Sequence, residues 1–320
     1  MKKTVGGQAL IEGVMMRCGD VKAIAVRKPD GDIIVKKTKP KGFLQDSKVR
    51  KLPFLRGLFV LIDSMVEGSK DLTYSANFYM EDEEEETKFD RFMRKLFGKH
   101  AEKVLNVFMT LVSFALTIGL FVVLPTLLAK NSAEKTFLVS LKEGVIKISI
   151  FVIYLFAMSQ LNDIRRVFQY HGAEHKSVYC YEQGKELTVE NVKSMSRLHP
   201  RCGTNFIFLV LIVSVLIFSF VNVRTLWARS FVKLLMFPFV SGISYELIRL
   251  AGQKENTFTS LMVYPGMLLQ KITTKEPDES QIEVGIASIK AALGLDGTEK
   301  KEYLLSELQT AEVKTSGVGS

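Results

Sequence analysis

Two histidines one helical turn apart, His171 and His175, enclose a glutamate in His171-Gly172-Ala173-Glu174-His175, in a chain with only four histidines. On a helix, positions i and i+4 share a face, so both imidazoles can approach one cation. Glu174, three residues after His171, is in reach as ligand, hydrogen-bond partner or general base. A third histidine follows in Arg197-Leu198-His199-Pro200-Arg201-Cys202-Gly203, where Cys202 adds a thiol and Arg201 a guanidinium. Only His100 stands apart. Nitrogen and sulfur donors of this kind suit zinc, the expected cofactor.

A catalytic zinc typically keeps three protein ligands and one open position. His171 and His175 supply two, and His199, Cys202 and Glu246 are candidates for the third. Glu246, in Ser244-Tyr245-Glu246, falls near the end of a long apolar run. An unpaired carboxylate is costly there, and a cation held by the histidines would satisfy it. With His171, His175 and Glu246 as an open shell, Glu174 would act as base toward water and the chemistry would be hydrolysis. The HxxEH order matches the inverted zincin signature, whose third ligand is a distant glutamate on another helix. A closed shell of His171, His175, His199 and Cys202 would instead be a structural zinc. The spacing alone allows both. Thiol catalysis is disfavoured, because no CxxC occurs, and three cysteines (Cys18, Cys180, Cys202) are too few for a disulfide framework.

The elements that must position these groups are dominated by apolar runs. Mean hydropathy is +0.15 and the chain of 320 residues carries 22 phenylalanines. Four runs, at residues 104–129, 144–161, 206–223 and 231–250, approach the length needed to cross a hydrocarbon core of roughly 30 Å. Lys147, Lys233 and Glu246 are the ionisable exceptions, and the two lysines are near enough to an end to extend toward the interface. The basic excess in the N-terminal region, around Arg165-Arg166 to Arg201 and after Arg249 assigns these segments to the cytosolic side of a membrane. Both termini and the histidine segment then lie inside. The apolar stretch after Lys2-Lys3 is short and broken by Glu12, unlike a secretory signal. A net charge of +9 fits anionic lipid better than nucleic acid, since the basic residues are not interleaved with aromatics. Transport is disfavoured by the few central polar groups in the runs.

The fold expected is mainly α: a four-span helical membrane protein with a small N-terminal β-hairpin region and cytosolic amphipathic helices. Residues 1–80 form the cytosolic N-terminal region. Within it, alternation from Val21 to Thr38 around Pro29-Asp30-Gly31-Asp32 predicts a hairpin, and Pro53 to Tyr74 an amphipathic helix. The glycine-bracketed stretch from Gly6 to Arg17 reads as a buried segment. Residues 81–103, opening on the acidic block Glu81–Glu86, form a linker. A first transmembrane pair covers 104–161, the metal-site loop 162–205 and a second pair 206–250. Residues 251–295 hold an interfacial or re-entrant segment, broken at Tyr264-Pro265-Gly266, and an amphipathic helix over 283–293. A flexible tail fills 296–320.

Several strings resemble the YqhQ-like family of bacterial inner-membrane proteins. They are Gly6-Gly7-Gln8-Ala9-Leu10-Ile11-Glu12-Gly13-Val14-Met15, Pro53-Phe54-Leu55-Arg56-Gly57, Arg166 to Lys176, Thr188 to Val192, Arg197 to Gly203, Tyr264-Pro265-Gly266 and Thr273-Thr274-Lys275-Glu276-Pro277. The resemblance runs from Gly6 to about Leu293 and implies a metal-dependent enzyme. His171, Glu174, His175, Arg201 and Cys202 sit in its pattern, as do Gln8 and Glu12, which it implies face the site or a partner. The function expected is a zinc-dependent hydrolase acting on a protein or lipid substrate at the cytosolic interface. The alternative is a non-catalytic scaffold or assembly factor, supported by the amphipathic surface of 53–74 and 283–293.

Overall fold

A computed structural model describes residues 3–40, 55–79, 101–129, 136–221, 225–253 and 257–307, besides a few isolated positions between them. The acidic block, His100 and the chain after residue 307 lie outside the described residues. The protein is mainly helical with an N-terminal antiparallel sheet, and it divides into two compact units. The first comprises residues 1–79, 154–210 and 241–320, the second 80–153 and 211–240.

In the first unit, the expected hairpin is β3 (Val21–Arg27) and β4 (Ile33–Thr38), but it is the middle of a larger sheet. β1 (Val5–Leu10), β2 (Gly13–Cys18), β3, β4 and β5 (Glu302–Leu304) form a five-stranded antiparallel meander in that order. The stretch from Gly6 to Arg17 is therefore a hairpin and not merely a buried segment. Its glycines supply no side chains at Gly6 and Gly7, which erases the alternation a strand would show. The tail is corrected too: Tyr303 is buried, and β5 closes the far edge of the sheet against β4.

Both faces of the sheet are covered, which its sequence reflects. Val14, Met16, Ala23, Ala25, Ile33 and Val35 point into a core shared with Tyr170 and Val178 of α5 (Asn162–Gln183) and with Ile282 and Ile289 of α10 (Glu279–Leu293). Leu10, Ile24 and Val26 face the other way, toward Tyr74 and Phe78 at the end of α1 (Leu55–Ala76). Each fully buried aliphatic side chain of this kind stabilises by about 1.5–3 kcal/mol. α10 is thus a core helix, opened by a capping box between Asp278 and Gln281, and not a free amphipathic surface.

α1 runs from the sheet to another helix. Lys22 of β3 meets Glu67 at 3.0 Å and Asp71 at 2.7 Å on α1. At its start Gly57 lies against Tyr245 and Gly242, where a Cβ would come within 2.6 Å of Tyr245 Cβ. Those residues belong to α8 (Leu226–Gln253). α9 (Thr257–Thr273) is continuous through Pro265, so Tyr264-Pro265-Gly266 does not break it. Gly266 is required there by the close approach of Asn205. The expected metal-site loop is mostly helix: α5, ended by Gly184 at φ 73°, and the short α6 (Val189–Lys193), N-capped by Thr188.

The remaining helices are α2 (Ala101–Ile118), continuing through a π-helical turn at Gly119–Val123 into α3 (Leu124–Leu128), α4 (Thr136–Met158) and α7 (Gly203–Ser219). Among the described residues two stretches are long and apolar enough to cross a membrane, Val107–Leu128 and Trp227–Leu250, and they suggest membrane association. A third arises if α4 and α5, bent by 100° at their junction, count as one span, while α7 is shorter. The four runs thus correspond to helices but not to four clear spans. α4 begins well before residue 144 and takes in Lys142 and Glu143, which precede the apolar run at 144–161.

The second unit contains a buried ionic cluster. Lys233, expected to extend outward, is buried and pairs with Glu143, and it donates to Thr126 Oγ1 at 2.8 Å. Arg229 meets the other oxygen of Glu143 at 3.2 Å and donates to Ser140 Oγ at 2.8 Å.

Candidate metal centre

α5 carries His171, Glu174 and His175 on one face, as their spacing requires. The loop before α7 brings Cys202 to the same place. His171 Nε2 lies 3.3 Å from Cys202 Sγ, and the ligand atoms of His171, His175 and Cys202 all fall within 4.8 Å of one another. Glu174 Oε2 stands 3.4 Å from His175 Nε2 and 4.0 Å from His171 Nε2. Donor atoms around a tetrahedral zinc sit about 3.3–3.8 Å apart, from bond lengths of about 2.0–2.3 Å. The group is close to that geometry.

The ring nitrogens facing away settle the tautomers. His171 Nδ1 lies 2.9 Å from the Thr273 carbonyl and His175 Nδ1 2.6 Å from the Arg197 carbonyl. A carbonyl only accepts, so each Nδ1 carries the proton and donates it. Each Nε2 is left with a lone pair aimed at the cluster, the arrangement that orients metal-ligating histidines. His175 Nε2 is buried and has no hydrogen-bond partner among the described residues. A buried acceptor of that kind is costly unless something binds it. Thr204 donates to Cys202 Sγ from its hydroxyl at 3.2 Å and from its backbone N–H at 3.5 Å, donors that suit a metal-bound thiolate. Burial pushes the Glu174 carboxyl up from its ordinary range, against the neighbouring His171 and His199 and the Gly7 N–H that faces it. Burial pushes His175 down.

A strap after α9 holds the cluster in place. Thr273 takes the His171 proton, Lys275 N–H donates to Phe168 O at 2.8 Å, and Arg197 binds Thr274. The strap reaches α5 only because residue 172 is glycine: a Cβ there would collide with the Lys275 carbonyl. Gln270 of α9 clamps the loop, accepting from His199 N and donating to His199 O, each at 2.8 Å.

The other expected site residues lie elsewhere. His199 accepts from Arg201 N at 3.3 Å on Nδ1 and donates to Glu182 Oε2 at 3.1 Å from Nε2, so both its nitrogens are engaged. It packs 5.8 Å from the His175 ring and does not join the ligand group, so the structure does not assemble the closed shell of His171, His175, His199 and Cys202. Arg201 pairs with Glu182. Glu246 is held by Arg56, with Nε–Oε1 at 2.5 Å and a second bond from Nη2. The Arg56 guanidinium thus pairs with that carboxylate, and Glu246 is not among the clustered ligand atoms. Glu12, at φ 51° in the β1–β2 turn, takes both donors of Arg166 and the Tyr170 hydroxyl, the latter at 3.0 Å. It locks the sheet to α5 without facing the cluster. Gln8 borders the cleft and lies 3.5 Å from Gly68 O. The roles of Gly7, Glu182, Gln270 and the two carbonyls were not read from the sequence. The Gly6-Gly7 doublet was the one signal available.

The cluster opens into a cleft of about 370 Å³ between β1, α5 and residues 199–204. Arg201, Cys202 and Gly203 also border a larger cavity of about 1000 Å³, lined by apolar side chains of α1, α7, α8 and α9.

Residues 52–295 match the family described as "Protein of unknown function (DUF1385)". Over 305 residues, 92% of this chain and 94% of its relative, the sequence is 36% identical to "Uncharacterized protein YqhQ" of Bacillus subtilis (strain 168). No solved structure matches. A family match over most of the chain and this near full-length likeness place it together with YqhQ: the protein belongs to the DUF1385 family.

Proposed function

We propose that the protein is a membrane-anchored, zinc-dependent hydrolase with a cytosol-facing site. One observation carries the reading: His175 Nε2, buried, with its partner nitrogen satisfied, points without a hydrogen bond at a cluster of three further donors. His171 Nε2, His175 Nε2 and Cys202 Sγ would hold the ion, which supplies Lewis-acid polarisation of a substrate carbonyl. Glu174 takes a proton from the attacking water and returns it to the leaving atom. A C–O bond forms, the bond to the leaving group breaks, and the enzyme gains no net proton. The place of Glu174, 3.4 Å from His175 Nε2 and 4.0 Å from His171 Nε2, puts it beside the proposed ion, where the attacking water would sit. Thr273 and the Arg197 carbonyl keep the two imidazoles in the binding tautomer, while Gln270 and the Lys275 strap fix the loop and helix.

The anchor comprises four spans built on the helices at 101–128, 136–158, 203–219 and 226–253, with both termini cytosolic. Support for that topology is the basic excess of the segments assigned inside. The experiment is elemental analysis of the purified full-length protein beside His175→Ala and Glu174→Gln. One zinc per chain, absent in the first variant and kept in the second while hydrolysis of a probe substrate vanishes, supports the reading. Full activity in Glu174→Gln defeats it. The same outcome would favour the second reading, a scaffold whose metal only pins residues 197–204 to α5. That reading keeps the exposed Leu55, Met65 and Val66 of α1 as support but loses α10, which is core.

A further inference from the structure

Among the described residues β1 is an edge strand, because the sheet order begins with it and β2 alone pairs with it. Its outward-facing groups can be assigned. In an antiparallel pair, residues alternate between exchanging both backbone bonds with the partner and pointing both groups away. The two-residue turn at Ile11-Glu12 makes Leu10 and Gly13 a bonded pair, and Gln8 and Gly6 follow it with period two. Val5, Gly7 and Ala9 therefore aim their N–H and C=O groups off the sheet. Two contacts agree with this parity: the Gly7 N–H faces Glu174, and the Ile11 N–H donates to Ser75 Oγ at 3.2 Å. The backbone groups of Val5 and Ala9 have no partner outside the sheet among the described residues.

These groups do not face open solvent. Val5 to Ala9 form one wall of the 370 Å³ cleft whose other wall holds His171, Glu174 and His175. Natural sheet edges are commonly blunted by charge, proline or a bulge, and Val5-Gly6-Gly7-Gln8-Ala9-Leu10 has none of these. Gly6 and Gly7 are exposed and carry no side chain, so a second chain can approach the backbone there. At Gly7 a side chain would be excluded in any case, since a Cβ would come within 2.7 Å of Glu174 Cγ.

We propose that the substrate of this site is an extended polypeptide, bound by strand addition to the outer edge of β1. The inference rests on the hydrolase reading and names its substrate class. Val5 and Ala9 bond the added strand on either side of Gly7, and the peptide bond opposite Gly7 is thereby presented to Glu174. The footprint is about five residues, given about 3.3 Å per residue along β1. Hydrolysis adds water across that bond: oxygen to the carbonyl carbon, hydrogen to the departing nitrogen through Glu174, giving a new carboxylate and a new amine. The 1000 Å³ apolar cavity shares Arg201, Cys202 and Gly203 with the cleft as lining, so it lies next to the cut and is sized for an apolar side chain. An acyl chain in that cavity is the competing occupant. It leaves the outward groups of Val5 and Ala9 unused, and so is the weaker match.

The test uses full-length, zinc-loaded protein in detergent micelles with three probes: labelled casein, p-nitrophenyl butyrate and p-nitrophenyl palmitate. Ala9→Pro removes one outward N–H and no bond to β2, a substitution that edge strands tolerate. Casein hydrolysis is expected to fall about tenfold or more relative to butyrate turnover, while zinc content stays at the parental level. A second measurement needs no variant. N-methylation moved one residue at a time along a cleaved casein-derived peptide should slow cleavage at every other position. Casein cleavage unchanged in Ala9→Pro, without alternation in the methylated series, overturns strand addition and leaves the hydrolase standing. Hydrolysis of palmitate but not casein overturns the polypeptide class in favour of an acyl substrate. If zinc binds and no probe is cut, the hydrolase reading fails and this inference falls with it.

Discussion

Two buried clusters of ionisable side chains lie in the two units, and they are balanced in opposite ways. Around Glu143 the accounts close: Lys233 and Arg229 each meet one carboxylate oxygen, while Thr126 and Ser140 take the donors left over. Around Glu174 they do not. Two imidazole lone pairs, a cysteine sulfur and a carboxyl group converge, four metal-ligating groups with no cationic side chain among them. Burying such groups without a cation carries a desolvation cost. A satisfied network joins helices, whereas a convergent set of acceptors is what a cation requires. Burial alone would have flagged both clusters, and the pairing of lone pairs with protons tells them apart.

The largest effect should come from breaking the closed cluster. Glu143→Ala strands two buried cations, and removing one partner of a buried ion pair typically costs about 3–5 kcal/mol. Thermal unfolding in detergent should show a large loss of stability with zinc content unchanged in the protein that survives. Glu143→Leu combined with Arg229→Met and Lys233→Met should recover most of that loss, because well-packed apolar replacements of buried ion networks are often neutral. If Glu143→Ala is silent, the network is not closed and the contrast fails. The open cluster should answer in reverse. His175→Ala removes a ligand, so zinc affinity should drop by at least about 100-fold, measured by chelator competition. The zinc-free variant should be no less stable than the zinc-free parent, since an acceptor without a partner has been deleted.

Both clusters were half visible in the sequence, for different reasons. His171, Glu174 and His175 were legible because helical spacing fixes which side chains share a face, whatever the rest of the chain does. Cys202 was legible only as one candidate of three, because its position depends on Gln270 and Thr274, some 70 residues away. Glu246 shows the same limit: a carboxylate near the end of an apolar run needs a cation, and the structure pairs it with Arg56, 190 residues away, which no spacing in the sequence indicates. Lys233 was read as reaching the interface because hydropathy marks where a charge sits along a helix, not which neighbour it faces, and Glu143 fell just outside the run at 144–161. β1 and β5 escaped for a further reason. Glycines blank the alternation of the first, and the second is three residues long and exists only through β4.

The Glu246 assignment gives a smaller test of the same contrast. Glu246→Ala should leave zinc stoichiometry and affinity at parental values and lower the melting temperature modestly by releasing Arg56 from α8. Arg56→Ala should give a similar drop, and the double variant no more than either alone, as expected for one shared interaction. Loss of zinc in Glu246→Ala would return that carboxylate to the ligand shell and remove Cys202 from it.

The finest prediction concerns how the zinc-free protein responds to pH, where the two central groups of the open cluster pull in opposite directions. The Glu174 carboxyl is raised by burial, so above its ordinary value of 4.5 the unfolded chain ionises while the folded chain keeps its proton. The folded state then binds more protons, and stability falls as pH rises from 4.5 to the folded value. His175 is lowered by burial, so below its ordinary 6.5 the unfolded chain takes up a proton that the folded ring refuses, and stability falls as pH drops. Glu174→Gln deletes the first contribution and keeps the second. The zinc-free variant should gain in melting temperature on its parent as pH rises above 4.5, until the folded carboxyl itself ionises. Zinc should erase that gain, because a cation beside the ionised carboxylate removes the penalty in the parent but finds no charge in the variant. A difference that is constant with pH would mean that Glu174 is already ionised without metal, and that the cluster finds its cation within the chain, as Glu143 does.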